Sequence, residues 1–154
     1  MNHIGIAQAN AAMLTKKLNL LLADLHVFYQ NSRGFHWNVR GKKFFELHLK
    51  FEELYNDLQL KIDEVAERVL TLGGDPMHTM SDYLNNSSIQ EQKGIISDEE
   101  MMKSIIHSLK VLIDKERNIL SIAAESNDEG TNSLMSDYIR AQEKLMWMYG
   151  AFLK

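Results

Sequence analysis

Four side chains of this sequence have the types and spacing of a metal site. His36 and His48 stand ahead of Asp63 and Glu67, and the last two are four residues apart, so both carboxylates project from one face of a helix. Two imidazoles and two carboxylates together suit iron or zinc. A solvated charged face beside two unrelated histidines would present the same four residues, and spacing alone favours that plainer reading. The other histidines have plainer settings. His3 lies in a terminus expected to fray, His26 and His107 lie within helices, and His78 follows Pro76 in a connection.

The elements that must position these groups are four long amphipathic helices. The first is predicted from about Ile6 to Trp37, with Leu14, Leu18, Leu21, Leu22, Leu25 and Phe28 at helical spacing. The second runs from about Lys43 to Leu72 on a stripe through Phe51, Leu54, Leu58, Val65 and Val69, and Gly73-Gly74 before Pro76 stops it. A connection from Asp75 to about Ile96 follows, in which Met80 to Leu84 has the pattern of a short helix. A link of that length implies a crossover along the bundle. Ser97-Asp-Glu-Glu100 reads as a capping box opening the third helix, whose stripe includes Met102, Ile105, Leu109 and Ile113. Asn127 to Gly130 breaks it, and the fourth helix carries Leu134, Met135, Tyr138, Leu145 and Phe152. The expected fold is all-α, a single ferritin-like four-helix bundle over residues 1–154.

Helix geometry restricts where a metal can bind. His48 and Asp63 would be roughly 22 Å apart along one helix at about 1.5 Å per residue, so they cannot share an ion within one chain. At about 100° per residue, however, His48, Asp63 and Glu67 fall in one sector, on the flank of the apolar stripe. Leu49 and Leu60 share that flank, and their burial would require a second subunit. Suppose the helix packs antiparallel on its own copy about a two-fold axis near Tyr55 and Asn56. His48 of one chain then approaches Asp63 and Glu67 of the other, and the symmetry makes two such sites. The site lies between subunits or does not exist. The usual ferritin-like site inside one bundle uses Glu-x-x-His pairs, and this sequence contains none.

Composition excludes several other classes. The 154 residues are 45% hydrophobic and 25% charged, enough for a packed core. The single proline argues against a turn-rich β fold, and the absence of cysteine excludes disulfides and thiolate metal sites. The first residues lack the pattern of a secretory signal, and no apolar run approaches the roughly 20 residues of a membrane span, so a cytoplasmic location is expected. The formal charge of −4 does not suit a general nucleic-acid binder.

Taken together, Phe35-His-Trp-Asn-Val-Arg-Gly41, Phe45-Glu-Leu-His48, Asp63-Glu-Val-Ala-Glu-Arg68, Leu72-Gly-Gly74 and Glu143-Lys-Leu-Met-Trp-Met148 resemble the Dps family, the mini-ferritins also known as DNA-binding proteins from starved cells. The resemblance implies a hollow dodecamer with ferroxidase sites at its two-fold interfaces. His36 and His48 would come from one subunit, and Asp63 and Glu67 from its partner. It implies non-heme iron, oxidised preferentially by hydrogen peroxide and stored as ferric mineral. It also implies a site-proximal, electron-supplying role for Trp37, with simple interface packing as the alternative. Glu52 matches carboxylates that bind or nucleate iron, and Asp128 and Asp137 match acidic positions of a three-fold iron channel. Ser133 stands where the family often has aspartate, and Gln142 where it often has histidine.

A DNA-compacting protein is the main alternative, since some family members bind DNA through lysine-rich tails. Here the first fifteen residues hold no lysine or arginine and the C-terminus offers only Lys154, so direct DNA binding is not expected. A redox-silent structural bundle and a heme protein are further alternatives. The nine methionines suit core packing, and no heme is expected.

Overall fold

The computed structural model describes residues 1–154 and contains five helices and no strand. They are α1 (Gln8–Asn38), α2 (Phe44–Thr71), α3 (Met80–Asn86), α4 (Asp98–Glu125) and α5 (Glu129–Phe152). The four long helices form the bundle, and α3 is the short helix expected within the crossover. The α1–α2 and α4–α5 hairpins pack through α1 against α4, while α3 leans on α1. α1 is therefore the central helix, with buried residues on several sides: Leu14, Leu18, Leu21, Leu25 and Phe28 among them.

Polar side chains of α1 hold the crossover in place. Asn19 donates to the Asp75 carbonyl and accepts from the Met77 amide, at 3.0 and 2.8 Å. Buried Asp24 accepts from the Ser88 amide at 2.6 Å and pairs with Lys115 of α4. Asn31 donates to the Gln90 carbonyl and accepts from the Gln92 amide, both at 2.9 Å. The connection is long, yet its backbone polar groups are satisfied at regular intervals along α1.

Two helix ends follow the same stereochemical rule. After α2, Gly73 takes φ +90° and the Gly74 amide donates back to Val69 at 2.9 Å, a Schellman closure. After α4, Asn127 takes φ 57° and the Asp128 amide donates to Ala123 at 2.8 Å. The Asp128 side chain then caps the Thr131 amide at 3.0 Å, so α5 starts at Glu129, a full turn before the apolar pattern resumes at Leu134. The predicted capping box at α4 forms only in part. Ser97 accepts from the Glu100 amide at 3.5 Å without a return bond from the Glu100 side chain. The expectation of a frayed amino terminus is also corrected. Asn2 accepts from the Ile6 amide at 2.8 Å and donates to the Leu72 carbonyl at 3.0 Å, which ties the first residues to the end of α2.

The core contains polar side chains that periodicity did not single out. Glu116 of α4 and Gln142 of α5 are 0% and 1% exposed, and their side chains meet in the bundle interior. Burial pushes the Glu116 carboxyl up to about 8, against the opposing charge of Lys61. The folded state therefore holds this proton more tightly than the unfolded chain does. Stability should fall as pH rises between the ordinary carboxylate range and about 8. The loss should be on the order of 5 kcal/mol, from a rise of the carboxyl from 4.5 to about 8 at about 1.4 kcal/mol per pH unit. Glu116→Gln should flatten that slope, as read from urea midpoints at several pH values. An unchanged slope would assign the proton elsewhere.

Candidate metal centre between subunits

The turn from α1 into α2 folds His36 and His48 onto each other. Their rings stack at 3.7 Å, and each Nδ1 faces the other residue's backbone carbonyl: His36 to His48 at 2.5 Å, His48 to His36 at 2.7 Å. A carbonyl can only accept, so both Nδ1 atoms carry the proton, and both Nε2 lone pairs are left for a metal. This reciprocal arrangement is the orienting bond that metal-binding histidines ordinarily require. Phe44 stacks on His48 with centroids 5.0 Å apart, and Tyr55 meets His36 edge-on at 5.4 Å. His36 is buried and His48 half-buried.

Asp63 and Glu67 lie farther along α2, exposed and without an ion pair or side-chain hydrogen bond in the chain. No three histidine or acidic side chains of one chain gather closely enough to hold a metal. The histidine pair, at the turn from α1 into α2, and the carboxylate pair, farther along α2, are thus separate groups within one chain. Their shared flank is apolar: Phe45 is 85% exposed, Leu49 56% and Leu60 66%. Beside Asp63, an open cleft of about 770 Å³ is lined by Asn56, Leu60, His26 and Tyr83. The cleft thus reaches Asn56 of α2, the neighbourhood in which the sequence reading supposed a two-fold axis.

A ferritin-like domain profile matches residues 15–154. The chain belongs to the Dps family of ferritin-like proteins. The Dps protein of Vibrio cholerae, described as a member of a broad superfamily of ferritin-like diiron-carboxylate proteins, is 52% identical and superposes with a TM-score of 0.99 over 100% of this chain and 97% of its own. The DNA protection during starvation protein of Porphyromonas gingivalis is 44% identical, with 96% of this chain and 93% of that protein aligned. An uncharacterized protein of Haemophilus influenzae is 50% identical over 96% of this chain and 92% of its own length.

The remaining sequence-predicted residues of this Dps chain fall into distinct settings. Trp37 is 56% exposed with the Arg33 guanidinium 4.9 Å from its ring centroid, and Arg33 also lies over Tyr29 and Tyr55. Glu52 is half-buried one turn beyond His48, whereas Glu53 is exposed and pairs with Lys50 at 2.9 Å. Asp137 is exposed and pairs with Arg140 at 2.9 Å. Asp128 is only 2% exposed, and its carboxylate accepts from Arg68 at 2.6 Å as well as from Thr131. A carboxylate committed in this way joins α2 to α5. The glycine at 130 is explained by the same contact, because a Cβ there would stand 2.7 Å from the Arg68 guanidinium.

His26, set aside as a ligand on sequence grounds, stacks on Tyr83 at 3.7 Å. Its partial burial lowers its pKa to about 4. Gln142, unexplained as a departure from the family pattern, faces the bundle interior beside Glu116. Lys61, Glu116 and Gln142 are the polar residues that periodicity missed. Each stands in phase with its helix's apolar stripe: Lys61 between Leu58 and Val65, Glu116 between Leu112 and Ile119, and Gln142 between Tyr138 and Leu145. A polar side chain at a stripe position was the available signal.

Proposed function

We propose that this chain is a ferroxidase subunit of a hollow, cytoplasmic dodecamer that oxidises ferrous iron and stores the ferric product. His36 and His48 of one subunit and Asp63 and Glu67 of its two-fold partner bind the ferrous substrate. The observation that carries this reading is the pair of half-sites. Two imidazoles are fixed by reciprocal carbonyl bonds with Nε2 free, while two carboxylates without partners stand on the same exposed apolar flank. The diiron-carboxylate description of the Vibrio cholerae relative supports iron as the substrate.

Neutral imidazole and ionised carboxylate hold Fe(II) and also favour the more highly charged Fe(III), which lowers the cost of losing an electron. Each ferrous ion gives up one electron, and two such electrons cleave the O–O bond of one hydrogen peroxide molecule. The ferric ions then hydrolyse to oxyhydroxide and release protons. A two-electron reduction of peroxide yields no hydroxyl radical, so two harmful reactants are removed together. Trp37, adjacent to His36 and under the Arg33 cation, supplies an electron when only one ferrous ion is present. Glu52 receives ferric ions leaving the site, and Asp137 lines the channel by which iron arrives.

The test is anaerobic loading with ferrous iron followed by hydrogen peroxide, with ferric absorbance recorded beside a size-exclusion trace. Rapid oxidation with the product soluble inside a large assembly is expected. A small species, or oxidation no faster than in buffer, would refute the proposal.

Protection of DNA, in this reading, comes from the iron chemistry. The amino-terminal segment has no lysine or arginine before Lys16, and Asn2 and buried Ile6 hold it to the bundle. We therefore expect no retardation of linear duplex DNA in a gel-shift assay between about 50 and 200 mM salt, the range over which phosphate-driven binding declines steeply. A salt-sensitive shift at the lower concentration would restore the DNA-compacting alternative.

A further inference from the structure

Phe45 is the most exposed large apolar side chain of α2, 85% open to solvent at the head of the helix. Its ring meets Phe44 edge-on with centroids 5.4 Å apart, and Phe44 in turn stacks on His48 at 5.0 Å. An aromatic side chain held in this way and left uncovered marks an interaction surface. About six turns farther along the same helix, Ala66 is half-buried and lines the open cleft beside Asp63. Ile62, Pro76 and Met77 line that cleft too. A single methyl group at position 66 leaves room there that a larger side chain would fill.

The antiparallel register that puts His48 opposite the partner's Asp63 also fixes what Phe45 meets. In such a pair, a step toward the start of α2 on one chain is a step toward its end on the other. Phe45 lies three residues before His48, and Ala66 lies three residues after Asp63. Phe45 therefore comes opposite the partner's Ala66. Three residues are close to one helical turn, so both stay on the contact flank. The largest exposed side chain of α2 thus faces the smallest one on that flank.

We propose that Phe45 of each subunit is an anchor that seats in the partner's cleft against the partner's Ala66, so that two aromatic plugs close the interface beside the metal sites. The occupant of the cleft is a second copy of this chain. The proposal rests on the two-fold reading of the metal centre and names what fills the cleft next to its carboxylates. Burying a ring there removes water from the flank on which Asp63 and Glu67 stand, and their attraction for a cation strengthens as water leaves. Because Phe45 bears on Phe44 and Phe44 on His48, the seated plug also backs the histidine pair.

The chain has no cysteine, so introduced thiols report this contact alone. Phe45→Cys and Ala66→Cys are combined in the full-length protein, which is then oxidised with diamide in the absence of iron. Within one chain the two positions are roughly 30 Å apart at about 1.5 Å per residue, too far for a disulfide. Across the axis they meet, and the expected product is a covalent dimer on non-reducing electrophoresis, given by neither single variant. Glu52→Cys with Gln59→Cys, paired by the same register nearer the axis, separates the two levels of the proposal. A dimer from that pair but not from positions 45 and 66 would overturn the plug and leave the two-fold reading standing. A dimer from neither pair would overturn both. Should the first pair lose assembly along with its anchor, Ala66→Cys alone provides the test with Phe45 in place. Its thiol should react with a maleimide roughly tenfold or more slowly than the same thiol beside Phe45→Ala. Equal rates would then overturn the proposal.

Discussion

Replacing His48 with alanine should slow peroxide-driven ferrous oxidation by more than the ~10–100-fold that loss of a ligand's orienting partner costs at metal sites. The substitution removes one imidazole donor. It also takes away the ring that stacks on His36, although the His36 Nδ1–H keeps its bond to the backbone carbonyl of residue 48. Assembly should persist, because the exposed apolar flank of Phe45, Leu49 and Leu60 is untouched. A mixing experiment separates an inter-subunit site from one within a chain. His48→Ala and Asp63→Asn chains, each inactive alone, place both defects in one site of a mixed two-fold pair and leave the other site intact. Random reassembly should restore about a quarter of the wild-type sites, since about half the pairs are mixed and each has one intact site. Stopped-flow ferric absorbance after denaturation and joint refolding provides the measurement. If the mixture stays as slow as its components, the histidines and carboxylates do not share a site across the axis.

The second large effect concerns the link between α2 and α5. Arg68 donates to Asp128 at 2.6 Å and, through Nε, to the Thr131 hydroxyl at 2.9 Å. Asp128 is almost wholly buried, so Arg68→Ala leaves a carboxylate in the protein interior with no counter-ion. Breaking a buried pair from one side costs about 3–5 kcal/mol. In a chain of this length that corresponds to a drop of roughly 10 °C in the melting temperature. Arg68→Lys should recover only part of it, because an ammonium cannot reproduce the planar fork that reaches both partners. Thermal unfolding at fixed protomer concentration is the measurement, since assembly contributes to apparent stability. A loss below about 1 kcal/mol for Arg68→Ala would show that Asp128 is satisfied by its cap alone.

Much of this architecture is local and was therefore readable in the residues. The stripe Phe51, Leu54, Leu58, Val65 and Val69 has helical period, and Gly73-Gly74 supplies the positive φ with which α2 closes. Met80 to Leu84 indicated the short helix in the crossover for the same reason. The beginning of α5 was less legible, because the helix starts on a side-chain cap from Asp128 several residues before its apolar pattern returns. The amino terminus, expected to fray, is held by an Asn2 bond to a carbonyl seventy residues away in sequence. No local propensity encodes such a contact.

The sequence by itself determined the composition of the candidate metal centre and, through the rise and angular period of a helix, that His48 and Asp63 of one chain cannot meet. These conclusions need only covalent geometry and helical repeat. Tertiary structure decided what each candidate's atoms are free to do. It brought His36 and His48 into a reciprocal pair, committed Asp128 to Arg68, and buried Lys61, Glu116 and Gln142 within the bundle. The physical reason is that donor, acceptor and charge availability depends on three-dimensional neighbours and on exclusion of water. Both arise only when helices distant in sequence pack together.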